Sequence, residues 1–198
     1  MSAALVRRAA RYEAATWRSL ARWLLRRPDV GPADTGFAYR GPQVAPMLVM
    51  LAVSMIDVVA VDLLVPWPWL RPVLLVIGVW GTLEVLGMLA AITIHPHVVG
   101  AAGLRIRNGV SLDVHIPWDA VAGVRRVRRT RDGRGVQLDG STLHVVVADQ
   151  TTVEVTLARP LPVTLPRNRT AEITEVRLHA DDAAGFVAAA RARVAAGS

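Results

Sequence analysis

Arginine carries every basic side chain of this sequence, and its densest cluster lies between residues 125 and 134. The chain has 198 residues, with 23 Arg and no Lys. Guanidinium groups present fixed N–H donors that match phosphate and carboxylate oxygens. The cluster therefore predicts a surface for anionic lipid headgroups or an acidic partner, or else a solvated strand edge whose charge prevents pairing with other strands. This arginine patch consists of Arg125, Arg126, Arg128, Arg129, Arg131 and Arg134.

Two carboxylic acids lie inside otherwise apolar sequence, at Asp57 and Glu84. A carboxylate at the centre of a membrane helix costs about 2.5–3.5 kcal/mol on insertion scales, so such acids mark candidate functional positions. Three interpretations stay open: hydrogen bonding between helices, contact with a partner subunit, or a proton pathway. The last would make the chain a small transporter or channel subunit. Asp62 lies nearer the end of its segment, where water reaches it.

No constellation in the sequence predicts catalysis. The absence of Cys excludes thiolate chemistry and Cys-ligated metals, and the absence of Lys excludes Schiff bases and Walker-type phosphate loops. His95 and His97 flank Pro96 without neighbouring carboxylates, which is too little for a metal site. We find no nucleophile beside a base and no glycine-rich phosphate cradle. The sequence predicts a protein that is not an enzyme and has no metal or cofactor.

Residues 44–94 read as a transmembrane hairpin. Two 22-residue apolar runs, 44–65 and 73–94, would each span about 33 Å as helices, enough for a hydrocarbon core of about 30 Å. Prolines break the helices between them, where Trp67 and Trp69 suit the headgroup interface. Flanks 1–43 and 95–198 carry net charges of +5 and +4, which places both termini in the cytoplasm. The alternative is a buried helical hairpin in a soluble protein.

The segment 1–43 predicts a basic amphipathic helix over residues 3–27, followed by a Gly/Pro-containing linker. Arg on one side and Trp and Leu on the other favour a helix on an anionic membrane surface. Docking on the chain's own cytoplasmic domain is the alternative, and nucleic-acid binding is the weakest interpretation. The residues assigned to the membrane-surface helix are Arg7, Arg8, Arg11, Trp17, Arg18, Arg22 and Trp23.

Residues 95–198 predict a small domain of about seven strands and a terminal helix. Asn108-Gly109, Asp132-Gly133 and Asp139-Gly140 predict tight turns, 117–121 a short helical turn, and prolines 160, 162 and 166 a loop. Asp181 and Asp182 predict the start of a helix reaching Val194. The predicted strands are 103–107, 111–116, 124–130, 136–138, 143–147, 151–157 and 173–178.

Three segments resemble bacterial pleckstrin-homology-like domains: residues 103–109, residues 116–121 and residues 176–182 before a helix. The similarity covers residues 92–198, or 44–198 with the hairpin, since many of these domains follow two membrane helices on the cytoplasmic side. It implies a seven-stranded, strongly bent antiparallel sheet capped by the terminal helix, and no reaction. Eukaryotic relatives bind inositol phosphates through an early loop. The arginines here lie later in the strand order, so that ligand does not transfer.

The expected protein is thus a membrane α+β protein of the bacterial plasma membrane with two transmembrane helices. Its pleckstrin-homology-like barrel or sandwich would present a surface for protein or anionic-lipid binding in a scaffolding, regulatory or assembly role. Expected partners are anionic membrane lipid and a membrane protein or a second copy of the chain, without nucleic acid.

Overall fold

A computed structural model describes residues 3–25, 29–166 and 169–197, and the side chains of residues 3–9, 11, 196 and 197 lie outside this description. The predictions made for the side chains of Arg7, Arg8 and Arg11 therefore lie outside the described residues. The described helices are α1 (Ala3–Leu24), α2 (Gly41–Leu64), α3 (Leu70–Ile94) and α4 (Ala183–Gly197). The described strands are β1 (Thr35–Phe37), β2 (His97–Val99), β3 (Gly103–Asn108), β4 (Leu112–Pro117), β5 (Val121–Thr130), β6 (Gly135–Asp139), β7 (Thr142–Val146), β8 (Gln150–Leu165) and β9 (Arg169–Leu178).

The chain divides into two compact units. We call residues 3–25 and 43–91 the helical unit, and residues 29–42 and 92–197 the β-domain. The α+β layout expected from the sequence is confirmed, since two long apolar helices precede two sheets and a terminal helix.

Helices α2 and α3, with 24 and 25 residues, are both long and apolar enough to cross a membrane. Helix α3 begins at Leu70, three residues before the predicted start at 73, and so includes Pro72. A proline is tolerated in a first helical turn because its missing N–H would have no partner there. None of the residues of α2 is buried within the described structure, so its apolar side chains lie on the surface.

Close packing within the helical unit depends on small residues. A Cβ added to Gly78 of α3 would lie 2.9 Å from Cγ2 of Val58 in α2, so glycine permits this approach. Ser54 and Thr82 donate hydrogen bonds to the carbonyl groups of Met50 and Gly78, one turn earlier in their own helices. Hydroxyl groups satisfied inside their own helix leave no donor that needs water.

The β-domain contains a four-stranded sheet in the order β1-β2-β3-β4 and a five-stranded sheet in the order β5-β8-β9-β7-β6. Strand β1 lies in the segment predicted to be a linker. It pairs antiparallel with β2, with Thr35 opposite Val99 and Phe37 opposite His97. Both helices α2 and α3 therefore lie, in sequence, between two strands that are neighbours in the sheet.

All seven predicted strands of the carboxy-terminal region form, but two local predictions are wrong. Strand β8 continues through Pro160 and Pro162 instead of ending in a loop. This part of β8 pairs only with β9, so the prolines lie on an edge where no N–H donor is needed. The Asp132-Gly133 turn does not create a hairpin, because β5 and β6 lie at opposite edges of the five-stranded sheet.

One hydrophobic core joins both sheets and α4. Asp182 caps α4 as predicted, since its Oδ1 accepts the N–H of Gly185 at 2.8 Å. The predicted apolar side of the helix also packs inward, with Phe186 and Ala190 fully buried. Phe186 meets Phe37 of β1 edge to face, at 5.3 Å between ring centroids.

Candidate functional site

The arginine patch lies on and just after β5, an edge strand of the five-stranded sheet. Arg191 of α4 donates from Nε to the carbonyl of Val124 at 2.9 Å, which closes part of the outer edge. A cleft of about 620 Å³ remains between α4 and β5, with Arg125 and Arg191 among its lining residues. The arginine patch therefore lies on an edge strand, as one of the sequence interpretations expected. The free side of this strand, β5, is partly covered by Arg191 of α4.

Two of the six arginines of the patch belong to an internal ion-pair network centred on Glu154. Arg125 donates from Nε to Oε1 of Glu154 at 2.6 Å, and Arg129 donates from Nη2 to Oε2 at 3.3 Å. Nε of Arg177, in β9, lies 3.3 Å from the same Oε2. The Glu154 side chain is only 2% exposed. Burial alone would raise the pKa of Glu154, but the hydrogen bonds from Arg125 and the surrounding guanidinium charges lower it overall.

Glu154 occupies one position in a polar row that crosses all five strands of the sheet. The row is formed by direct register partners, which point to the same face of a sheet. From β5 to β6 these are Arg125, Glu154, Arg177, His144 and Gln137. We call this set the polar row.

His144 lies buried within the polar row, and its pKa is lowered by burial and by the charges of Arg131 and Arg177. Among the described residues, its Nδ1 has no hydrogen-bond partner. Arg131 in turn donates to Gln137 at 3.0 Å and to Asp139 at 3.1 Å. Acids thus already pair with the arginines of this network.

Arg125 and Arg129 are exposed although they pair with Glu154, and three further members of the patch are exposed as well: Arg126, Arg128 and Arg134. Over residues 29–166 and 169–197, no ion pair or hydrogen bond engages their side chains. We call them the arginine trio. Their guanidinium groups are the ones that an external anion meets without first displacing an internal carboxylate.

A second buried cluster lies around His97, within the β-domain. His97 Nδ1 accepts the N–H of Arg107 at 3.1 Å, so the ring proton is on Nε2, which donates to the carbonyl of His179 at 3.0 Å. Burial lowers the pKa of His97 to about 3, and the charge of Arg107 adds to this effect. Tyr39 stacks on the imidazole at 4.6 Å, and burial raises the pKa of Tyr39 to about 12.

Arg107 attaches the segment before β1 to this cluster. Its Nη1 donates to the carbonyl of Asp29 at 2.8 Å, and its Nη2 lies 3.0 Å from the Asp29 carboxylate. The Arg107 side chain is 1% exposed, and burial lowers its pKa from the usual range. Because both nitrogens of His97 are hydrogen-bonded, neither is free for a metal. The described residues contain no group of three or more metal-ligating side chains.

The three acids of the apolar segment have three different environments. Asp62 accepts a hydrogen bond from Nε of Arg71 at 2.9 Å, across the loop between the helices. Glu84 is half-buried, and its Oε1 has no hydrogen-bond partner in the described part of the chain. Asp57 is exposed on α2, with no hydrogen bond or ion pair to any described residue. In the described part of the chain Asp57 and Glu84 do not bond to each other, and the three interpretations of these acids stay predictions.

Helix α1 packs against α3 through small residues. Thr16 and Ser19 are each 2% exposed, and a Cβ added to Gly87 would lie 2.3 Å from Cγ2 of Thr16. Trp17 meets Trp80 edge to face at 5.8 Å. The hydroxyl groups of the two small residues donate to carbonyls one turn earlier in α1. The contact to α3 was not among the predicted alternatives for this helix.

The remaining predicted surface residues of α1 are still exposed. Arg18, Arg22 and Trp23 lie outside the contact with α3, as does most of Leu24, which is 69% exposed. Binding of this side of the helix to a membrane surface stays a prediction.

No protein-family model, curated protein or solved structure matches the chain in the comparisons with known proteins. The functional argument therefore rests on the residues and their geometry.

Sequence reasoning missed three members of the polar row, Glu154, Arg177 and His144. Of these, Glu154 pairs with two arginines of the patch. A usable signal was present, because Glu154 stands between Val153 and Val155 in an alternating strand. An acid on the outward face of a strand, in a domain rich in arginine, indicates an internal ion pair. Which arginines would reach it depends on strand order, and the strand order includes the parallel pairing of β7 with β9.

Proposed function

We propose that this chain is an integral plasma-membrane protein whose cytoplasmic β-domain binds an anionic surface through the arginine trio. The ligand we favour is the anionic lipid headgroup layer, and the role is scaffolding, regulation or assembly of a membrane complex. The observation that carries the proposal is the exposure of Arg126, Arg128 and Arg134 beside neighbours already paired with acids.

The surface of the helical unit supports the membrane location. A helical hairpin in the core of a soluble protein is covered by other elements, whereas the most apolar window of α2 is 0% buried and that of α3 is 17% buried. A bilayer would cover these side chains. The excess of arginine in both flanks supports a cytoplasmic position for both termini.

The β-domain supports a binding role more than a catalytic one. Its resemblance to bacterial pleckstrin-homology-like domains is structural, and we propose that its two sheets and α4 form a module of that type. The edges β5 and β6 approach each other near Arg131, whose side chain reaches Gln137 and Asp139, as expected for a bent sheet. Its densest concentration of exposed positive charge is the region around the arginine trio.

Vesicle flotation with the complete protein tests the proposed ligand. The protein is placed in nanodiscs of phosphatidylcholine and mixed with vesicles of phosphatidylcholine alone or with added phosphatidylglycerol. Replacing Arg126, Arg128 and Arg134 with Ala should weaken binding to the anionic vesicles by about 100-fold, since each juxtamembrane arginine contributes about 1 kcal/mol.

A matched variant controls for net charge. Arg159, Arg169 and Arg193 are exposed arginines elsewhere in the same domain, and replacing all three with Ala removes the same charge. This variant should retain most of the binding. If both variants lose the same amount of binding, or if the natural protein does not bind anionic vesicles, lipid is not the ligand of the arginine trio. An acidic protein partner would then be the remaining candidate.

A further inference from the structure

Asp57 is an exposed carboxylic acid on α2 that has no polar partner among the described residues. It lies near the middle of a 24-residue apolar helix, its side chain is exposed, and no described residue bonds to it. A carboxyl group facing lipid at this depth costs about 2.5–3.5 kcal/mol, and acids inside membranes are almost always turned toward protein or water. A polar group from outside the chain is therefore expected at the depth of Asp57.

The residues around Asp57 form a regular stripe along the helix. They follow the alternating spacing of four and three residues that is typical of a helix packing lengthwise on another helix. Four of them are exposed and Ala60 is half-buried, so the stripe is not used within the described structure. The stripe, which we call the seam, consists of Met50, Val53, Asp57, Ala60 and Leu64.

The shape of the helix surface suits a second helix at the seam. Within the seam, the small Ala60 follows Asp57 by about one turn and precedes the larger Leu64 by another. Small residues at such positions allow helix backbones to approach closely in membranes. Met50, Val53 and Leu64 are larger exposed side chains of the same seam, so a second helix would meet both a small residue and larger ones.

We propose that α2 binds α2 of a second copy of this chain along the seam, with the two Asp57 carboxyl groups in contact. Two copies with the same orientation in one bilayer are related by an axis along the membrane normal, so each residue meets its counterpart at its own depth. At one depth the two carboxyl groups can hydrogen-bond to each other across the helix pair. A second copy thus supplies the missing polar partner without any further protein.

Asp57 then has the role of a polar residue at a core position of a coiled coil. Such a residue costs stability but fixes the register and the number of helices, because any shift along the seam leaves it without its partner. The pairing rests on the proposed membrane location, since in water an exposed Asp needs no partner.

Cysteine cross-linking in membranes tests the pairing directly, because the natural chain has no Cys. Single cysteines are placed on the seam at Val53 or Ala60. Controls are placed at nearly the same depth on other faces of α2, at Ala52 or Val59, which are also exposed. After mild oxidation of native membranes, the seam positions should give disulfide-linked dimers and the controls should give several-fold less.

In a second experiment, Asp57 is substituted in the variant that carries Ala60→Cys, and cross-linking is measured again. The amide of Asp57→Asn can still donate and accept at the seam, so cross-linking should persist. Asp57→Leu removes the polar contact and should weaken dimerisation by about 3- to 30-fold, the range that corresponds to about 0.6–2 kcal/mol for a hydrogen bond between membrane helices.

The remaining outcomes overturn the pairing in distinguishable ways. Equal cross-linking at seam and control positions indicates random collision, and stronger cross-linking at the controls indicates a different interface. If no position cross-links while the protein resists extraction by alkaline carbonate, another membrane protein or lipid covers Asp57. If carbonate releases the protein, the membrane location itself fails, and the pairing fails with it.

Discussion

At the scale of single residues, burial and hydrogen bonding decide which ionisable groups carry charge. His97 is neutral because it is buried and because a backbone N–H occupies one of its ring nitrogens. Glu154 stays ionised despite burial, because three arginines surround it. These groups lie in two buried networks of the β-domain, one around His97 and one around Glu154.

His97 should make the β-domain sensitive to acid. Its pKa is about 3 in the folded protein and about 6.5 when unfolded. As the pH falls, the unfolded chain therefore takes up the proton before the folded protein does. The contribution of His97 to the free energy of unfolding is fully present above pH 6.5 and is lost as the pH falls toward 3. The loss over this window is roughly 4 kcal/mol. Denaturation curves at pH 7, 5.5 and 4 measure it.

The variant His97→Gln keeps a polar side chain but cannot titrate. It should be less stable at pH 7 and should show a smaller loss between pH 7 and pH 4. His144 and His179 also have pKa values lowered by burial, so part of the dependence should remain. Identical pH slopes in the variant and the natural chain would show that His97 does not contribute.

At this scale the sequence predicted residue types better than partners. It located the arginine patch and the capping Asp182, because both are local patterns. It could not separate Arg125 and Arg129 from the arginine trio, because Glu154 reaches them only after β8 pairs with β5. Ion pairs between strands depend on register, which a single sequence does not determine.

At the scale of elements, α1 shows that small residues determine which face of a helix packs against another helix. Its Trp and Leu side chains predict a membrane surface, yet the face buried against α3 is the one with Thr16 and Ser19. Small side chains allow two backbones to approach, and they are common where membrane helices meet. Large apolar side chains therefore did not identify the contact.

Gly87 should control whether α1 stays on α3. A side chain at Gly87 would overlap Thr16, whereas a Cβ at Gly81 meets nothing within 4 Å. Gly87→Val should release α1, and Gly81→Val should not. The rate of maleimide reaction at Ser19→Cys reports this, because Ser19 is buried in the natural contact. A fast reaction should appear only with Gly87→Val, and equal rates in both variants would contradict the role of Gly87.

Strand predictions succeeded where turn signals were local and failed where pairing was distant. The Asn108-Gly109 turn joins β3 to β4, and the Asp139-Gly140 turn joins β6 to β7, as expected. Strands β1 and β2 have three residues each and no turn between them, so alternation could not reveal them. The role of Pro160 and Pro162 was predicted wrongly because their edge position depends on where β5 begins, at Val121 opposite Leu157.

At the scale of the whole molecule, the lack of cysteine makes the proposed membrane orientation easy to test. Single cysteines at Ser111, in the β-domain, and at Pro68, in the loop between α2 and α3, can be labelled with a reagent that does not cross membranes. In intact cells Pro68→Cys should react and Ser111→Cys should not, with the reverse in inside-out vesicles. Labelling of both positions from one side would contradict a two-helix crossing.

Biosynthesis of this chain has a fixed order because β1 and β2 are neighbours in the sheet but are separated by the whole hairpin. When β1 leaves the ribosome, its partner strand has not yet been made, and α2 and α3 are translated before it appears. The first sheet can form only after both helices have left the ribosome. In the proposed membrane protein, insertion into the bilayer can thus come first, and the bilayer would then hold the two ends of the hairpin near each other while the sheet of the β-domain closes.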